Sequence, residues 1–469
     1  MQATYKRRFL HLLVRSFCVL FVFHLLACKK FVDVPVPGNQ IVSAKVFGND
    51  QTATAAVVGL YDQIMRNNKF FLNGGTTLYP ALSADELERT SALDAEDAFT
   101  TNSLTPLNQV VKNDLWRFAY SFIYSANACI EGLTQSTSIT PALKNQLLGE
   151  AKIIRSLCYY YLLNLYGDVP LVLTTNYLES SLVPRTPASQ VMQQITGDAE
   201  EAKSLLAQAP VNDPTRVNKW AATALLARLY LYAGNYSQAE AQATAVIGAG
   251  RYVLETSLSN VFLVNSKEVI LQFQPVLPDY NTAEGNLFIP VATATRKPTY
   301  VLTASLFNAF ETGDQRKVAW MKNKTVSGQN FYYPFKYTVR VNPVPGSAPT
   351  EDNVVFRLAE CYLIRAEARA QLNNIAGAQA DLNRVRNRAG LPNTTATDKA
   401  SLLTAILHER QVELFAEWGH RFFDLKRFSL ADAVLGPQKA PNWTSTDALY
   451  PIPLSELQAN PALVQNPGY

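Results

Sequence analysis

Apolar residues recur at three- and four-residue spacing along much of the chain, and the most regular stretch runs over residues 353–427. Val355, Ala359, Tyr362, Ala366 and Ala370 mark one helical face. Ile375, Ala378, Leu382, Val385 and Ala389 mark a second, with little more than Asn373 and Asn374 between them. So short a polar link places the two helices antiparallel. Gly390 followed by Pro392 ends the second helix, and a third is predicted over about 402–418.

Upstream, the same spacing predicts helices over 53–65, 115–133, 143–166, 188–208, 219–233 and 237–248. Leu226, Ala227, Tyr230, Ala239 and Val246 fall at tetratricopeptide positions, and the alanines at 359, 366, 368, 370 and 378 suit the close helix approach of such hairpins. Two stretches lack this order. Residues 67–108 have no clear period, and 251–349 are dominated by loops, with strand-like content at 268–273 and 332–341. Long aperiodic stretches inside a domain are more often functional or disordered than idle. The expected architecture is mainly α, with tetratricopeptide-like helix hairpins forming one scaffold that carries long loops and a few short strands. Its expected parts are 38–250, 251–350 and 351–469 within a single domain.

Composition adds constraints. Hydrophobic residues at 48% exclude disorder, and charged residues at 17% fall below the roughly 25% of an average soluble protein. Much of the surface therefore has to be Asn, Gln, Ser, Thr and Tyr, which suits neutral, hydroxyl-rich ligands. The formal charge of +4 comes from Lys6, Arg7, Arg8 and Arg15. Setting those four aside from the 42 basic residues leaves 38, matching the 38 acidic ones. With no Lys/Arg stripe and no net charge after residue 27, nucleic acid is excluded as a partner.

Those first residues read as an export signal over 1–27, with a basic start and an apolar run over 17–26 broken by His24. Leu25-Leu26-Ala27-Cys28 is a lipobox, so Cys28 is expected to become the acylated N-terminal residue. The run is too short to span a bilayer. Residues 28–37, with Pro35 and Pro37, read as a tether. Cys129, Cys158 and Cys361 lie in apolar helical patterns and are expected to be free buried thiols.

Several strings resemble the SusD/RagB family. They include F-R-L-A-E-C-Y-L-I-R-A-E-A-R-A from Phe356, L-N-R-V-R-N-R-A-G-L from Leu382 and E-R-Q-V-E-L-F-A-E-W-G-H-R-F-F-D-L-K-R from Glu409. The closing P-I-P at 451–453, Asn460-Pro461 and Q-N-P-G-Y follow in the family's order. The helix with Trp116, Tyr120, Ile123 and Asn127, the Y-G-D-V-P from Tyr166 and the G-D-Q-R at 313–316 are also similar. The resemblance implies a non-enzymatic, lipid-anchored outer membrane protein facing the cell exterior, held to the membrane by its lipid alone. It would capture an oligosaccharide and pass it to a SusC-like TonB-dependent transporter. A peptide-binding member of the same family and a lipid-anchored glycosidase are the alternatives.

Candidate chemistry divides between structure and binding. Among residues after Cys28, histidine occurs only as His408 and His420, without metal-ligand spacing, so neither a metal site nor a cofactor is expected. Glu409, Arg410, Glu413, Glu417, Arg421, Asp424 and Arg427 read as a structural ion network, in which interleaved arginines relieve three glutamates at four-residue spacing on one helix. Asp85, Glu86, Glu88, Asp94, Glu96 and Asp97 read as solvated loop charges. Sugar binding needs aromatic faces beside amide side chains. Phe70, Asn73 and Tyr79 in the first aperiodic stretch, and Tyr280, Asn281, Tyr300 and Trp320 in the second, are the candidates.

The lipobox gives a direct test. Cys28→Ala should abolish acylation and release the protein from the membrane fraction or leave it as an unprocessed precursor, read by fractionation and mass. Retention of the variant in the outer membrane with normal processing would reject Cys28 as the anchor.

Overall fold

The computed structural model describes residues 43–469 except 92–93, 278–279 and 294, with the backbone alone at 43, 44 and 94. The export signal, Cys28 and the 28–37 tether lie outside the described residues. The chain divides after Val46. The first unit contributes one described helical turn, Ser43–Val46, and the second, from Phe47, carries the elements that follow.

Helix α1 (Asp50–Met65) starts where the Asn49 side chain accepts a hydrogen bond from the Thr52 amide at 3.0 Å. The short helix α2 (Gly75–Ser83) and strand β1 (Leu87–Arg89) follow. A wide π-type segment, Val110–Arg117, runs into α3 (Phe118–Gln135), and then come α4 (Pro141–Tyr166), α5 (Ala188–Leu205), α6 (Lys219–Tyr232) and α7 (Tyr236–Gly248). Each long helix packs on the next: α1 on α3, α3 on α4, α4 on α5, α5 on α6 and α6 on α7. Asn127, expected to be buried, is; its amide donates to the Val172 carbonyl and its oxygen accepts from Arg155.

After α7 the chain leaves this stack for residues 249–357. Strand β2 (Val269–Phe273), the short helix α8 (Ala283–Phe288), strand β3 (Tyr300–Leu302), the hairpin β4 (Met321–Val326) and β5 (Gln329–Pro334), and strand β6 (Asn353–Arg357) lie in this excursion. β1 pairs antiparallel with β3, β4 with β5 and β2 with β6. The β4–β5 turn has positive φ at Ser327 and Gly328, the geometry of a two-residue hairpin loop. Strand pairing thus begins at residue 329, earlier than the expected 332–341, because Gln329 and Asn330 already oppose Val326 and Thr325.

The chain rejoins the stack with α9 (Leu358–Gln371), which packs on α7, and continues through α10 (Ile375–Arg388) and α11 (Lys399–Glu413). Leu363, Ala366, Ala370, Ala378, Leu382, Val385, Leu402 and Ile406 form one buried cluster among these three helices. Ala227, Leu231, Ala239, Ala243, Ile364 and Ala368 form a second, where α9 meets α6 and α7. The expected α9 pattern is corrected at its start: Val355 and Phe356 lie in β6, paired to β2, and the helix begins at Leu358. The expected helix over 402–418 is also corrected. α11 ends at Glu413, positive φ at Ala416, Trp418 and Gly419 turns the chain, and α12 (His420–Arg427) starts a new direction.

That break reshapes the ion network. Glu409 and Glu413 share α11, but Glu417 does not, and none of the three is relieved by the arginines beside it in sequence. Glu413 instead meets Arg316, Arg357 and Arg388; Glu409 meets Arg316 and Arg386; Glu417 meets Arg357 and Lys336. Arg410 pairs with Asp424 at 2.7 Å, Arg427 with Asp424 and Glu367, and Arg421 with Asp85 at 2.7 Å. Burial alone would raise the Glu413 carboxyl, but the guanidiniums of Arg388, Arg357 and Arg316 override it and hold it well below the usual carboxylate range.

Asp85 and Glu86 are buried, which corrects their reading as solvated charges. Asp85 is satisfied by Arg421 and the Ser305 hydroxyl. Glu86 Oε1 has no hydrogen-bond partner among the described residues, and burial, helped by the Asp85 carboxylate, pushes its carboxyl up to about 8. A group whose folded pKa is raised stabilises the fold at low pH and loses that contribution as pH rises through the folded value. Glu86→Gln should therefore leave the melting temperature nearly unchanged at pH 4.5 and raise stability by on the order of 2 to 4 kcal/mol at pH 8. Thermal melts of both proteins across that range read the difference directly.

Candidate functional site

The two aperiodic stretches meet. β1 and β3 pair across them, with Leu87 opposite Leu302 and Arg89 opposite Tyr300, and the Asn68 amide reaches Asn286 at 3.5 Å. Near this junction Lys69 has φ +70°, a left-handed backbone that side-chain-bearing residues adopt at a cost. It opens a tight turn in which Asn73 N and Gly75 N both donate to the Phe70 carbonyl. On the other side, Gly285 in α8 lets the helix lie against the 339–340 backbone, since a Cβ there would sit 2.4 Å from the Val339 carbonyl oxygen. Asn286 adds a bond from its amide to the Arg340 carbonyl.

Between these elements lies a cavity of about 150 Å³. Leu287, Phe288, Ile289, Pro290, Val291, Pro298 and the Tyr300 ring give it apolar walls, while Lys69, Arg296, Lys297 and Arg340 give it positive ones. Lys297 Nζ lies 4.8 Å from the Phe331 ring centroid, which ties the loop to the β4–β5 hairpin. Behind the wall, Glu96 accepts from Lys69 and from the Tyr300 hydroxyl, each at 2.7 Å. Glu96 and Asp97 are thus not solvated loop charges, because Arg89 pairs with both.

Of the seven ligand candidates, Tyr300 is the one that lines this cavity. Its hydroxyl is committed to Glu96, so it offers a ring and no free hydrogen bond. Asn73 is buried, with its amide on the Met65 and Asn67 carbonyls. Tyr79 is wholly buried in α2, stacked on Phe99 at 4.7 Å with its hydroxyl toward Asp114 at 3.4 Å. Trp320 is 1% exposed and donates to the Leu258 carbonyl, its ring beside Lys336 of the ion network. Asn281 is buried on Thr350. These four are corrected to interior residues; Phe70, stacked on Phe118 at 4.0 Å, and Tyr280 keep partial exposure outside the cavity lining. For Tyr79 the physical reason is that the first stretch has little alternation, yet every residue of α2 is buried.

Arg296, Lys297 and Arg340 escaped the search for aromatics and amides. A signal was present, because between Glu284 and Glu311 the chain has Arg296 and Lys297 and no acidic residue. A larger cleft of about 700 Å³, over 392–408, is a weaker candidate. Its charged groups are occupied: Glu311 holds Arg386, Asp398 caps α11 and His408 bonds the Ala309 carbonyl. Cys129, Cys158 and Cys361 are buried free thiols, and burial pushes the Cys129 thiol up to about 12.

A stack of helix hairpins interrupted by a loop-and-hairpin excursion, with a cavity built where that excursion meets the first aperiodic stretch, defines a helical scaffold that presents a loop-built face. The chain belongs to the SusD/RagB family. A model described as "SusD family" matches residues 308–469, and one described as "Starch-binding associating with outer membrane" matches 49–231. A SusD-like protein of Formosa agariphila is 25% identical over 96% of this chain and 98% of its own. The starch-binding protein SusD of Bacteroides thetaiotaomicron is 26% identical over 72% of this chain and 75% of its own. Among solved structures, a laminarin-binding SusD-like protein superposes with a TM-score of 0.75 at 26% identity, covering 90% of this chain and all of the other. A SusD superfamily protein of Bacteroides vulgatus gives 0.79 at 19% identity, covering 90% and 99%.

The reassignment of Tyr79 has a measurable outcome. Tyr79→Ala should cost about 3 to 5 kcal/mol of stability, as deletion of a buried aromatic does, and so lower the melting temperature by several degrees. An unchanged melt would return Tyr79 to the surface and to the list of ligand contacts.

Proposed function

We propose that this protein is a non-enzymatic glycan-capturing lipoprotein of the outer membrane, anchored through Cys28, that delivers oligosaccharides to a SusC-like TonB-dependent transporter. The observation that carries the reading is the cavity at the junction of the two aperiodic stretches, on a scaffold shared with relatives named for starch and laminarin binding. Apolar walls with a tyrosine ring suit the C–H faces of a sugar, and polar groups at the edge suit its substituents. The family supports the outer membrane and the transporter partner. Among the described residues no helix is long and apolar enough to cross a membrane, which accords with a lipid as the attachment.

Hydrolysis would need two carboxyl groups facing each other at roughly 5 to 9.5 Å across the substrate. Neither Asp nor Glu lines the cavity among the described residues, and this favours capture over cleavage. Cationic walls are compatible with an acidic peptide as well, so the decisive comparison is between ligand classes. The full-length chain in mild detergent, applied to matched glycan and peptide arrays, should bind glycans saturably without shortening them. Binding confined to peptides, or release of shorter sugars, would overturn the proposal.

A further inference from the structure

The cavity has a charge that the chain as a whole does not. Residues 28–469 carry equal numbers of basic and acidic side chains, yet four cations converge on a space of about 150 Å³ with no acid in its lining. Among the described residues the lining touches one carboxylate, Glu96, and that group is already held by Lys69, Arg89 and the Tyr300 hydroxyl. No described carboxylate pairs with Arg296, Lys297 or Arg340. In the buried ion network, by contrast, arginines are matched: Arg316, Arg357, Arg386, Arg388, Arg410, Arg421 and Arg427 all sit on acids. What sets this cavity apart is the convergence of three cations with no described acid partner on one space beside an apolar wall.

We infer that the cavity selects a sugar bearing an anionic group, a uronate carboxylate or a sulfate ester, with Arg296 and Arg340 as its principal ligands and Lys297 beside them. A guanidinium presents paired N–H donors that match two oxygens of a carboxylate or sulfate. The apolar wall of Ile289, Pro290 and Pro298 takes the ring face, so charge and ring are read together. Lys297 is steadied over Phe331 rather than by an acid, which leaves its charge available. The inference rests on the glycan-capture reading and narrows its ligand class. It also departs from the expectation that an uncharged surface suits neutral sugars, because the average charge of the surface says little about one pocket.

The test uses two pairs of oligosaccharides that differ in charge alone. Tetragalacturonate is compared with its carboxyl-reduced form, and a sulfated galactan tetrasaccharide with its desulfated form, by calorimetric titration of the full-length chain in mild detergent. At least one acidic sugar should bind tenfold or more tightly than its uncharged twin, with affinity falling as salt is raised. The pair that shows the gap tells carboxylate from sulfate. Arg296→Ala with Arg340→Ala should erase the gap without lowering the melting temperature, since neither side chain holds an ion pair among the described residues. Equal binding of the twins, or a gap that survives in the double variant, overturns the inference. Binding of uncharged sugars alone does so too and leaves glycan capture standing, whereas failure to bind these four and starch and laminarin oligosaccharides as well removes both.

Discussion

Most of the architecture depends on one buried carboxylate. Glu413 sits at the end of α11 and receives Arg316 and Arg357 from the excursion and Arg388 from α10, while Lys336 and Arg357 donate to its backbone carbonyl. Burying a carboxylate costs several kcal/mol unless it is paired and hydrogen-bonded, and removing one partner from such a cluster commonly costs about 3 to 5 kcal/mol. The helical stack and the 249–357 excursion are thus bound to one another by a constraint that neither satisfies alone. Trp320, with cationic groups of Lys336, Arg357 and Arg388 within 6 Å of its ring, belongs to the same node.

The scaffold was legible in the sequence wherever one face of a helix is buried. α3, α5, α7 and α10 show alternation at helical spacing because one side meets a neighbour and the other meets water, whereas α4, α6 and α9, buried on nearly every side, were legible from their length and from the signals that end them. The reading failed where that asymmetry is missing from a short segment. α2 is buried on every side, so its sequence Gly75–Ser83 has no period to detect, and its aromatics looked like loop residues. The Leu414–Gly419 turn was hidden for a different reason. Its positive-φ positions include Ala416 and Trp418, residues that give no turn signal, and their conformation is held by tertiary contacts such as Trp418 Nε1 to the Val354 carbonyl at 2.6 Å.

For the candidate site, sequence pointed to the two stretches but not to the side chains that line the cavity. Aromatic and amide content led toward Asn73, Tyr79, Asn281 and Trp320, all of which the fold uses internally. Buried aromatics are the ordinary case, and amides inside a protein are spent on backbone carbonyls. What distinguishes the cavity is a pattern of omission, a basic pair in a segment without acids, and its meaning depends on Arg340 arriving from a distant part of the chain. No local pattern carries that information.

The enclosure of α2 also governs the order in which the chain can fold. Thr77 is met by the Trp418 amide, Asp85 by Arg421 and Ser83 by the Tyr450 hydroxyl, across sequence separations of 341, 336 and 367 residues. A segment near the start of the fold is therefore sealed by residues near its end, and while synthesis is under way those partners do not yet exist. Contacts of such long range form slowly, since loop closure must precede any gain from them. The early helices can pair as they emerge, but the completed body has to wait for the last fifty or so residues. Until then α2 stays unsealed and its apolar side chains remain open to solvent and to other chains.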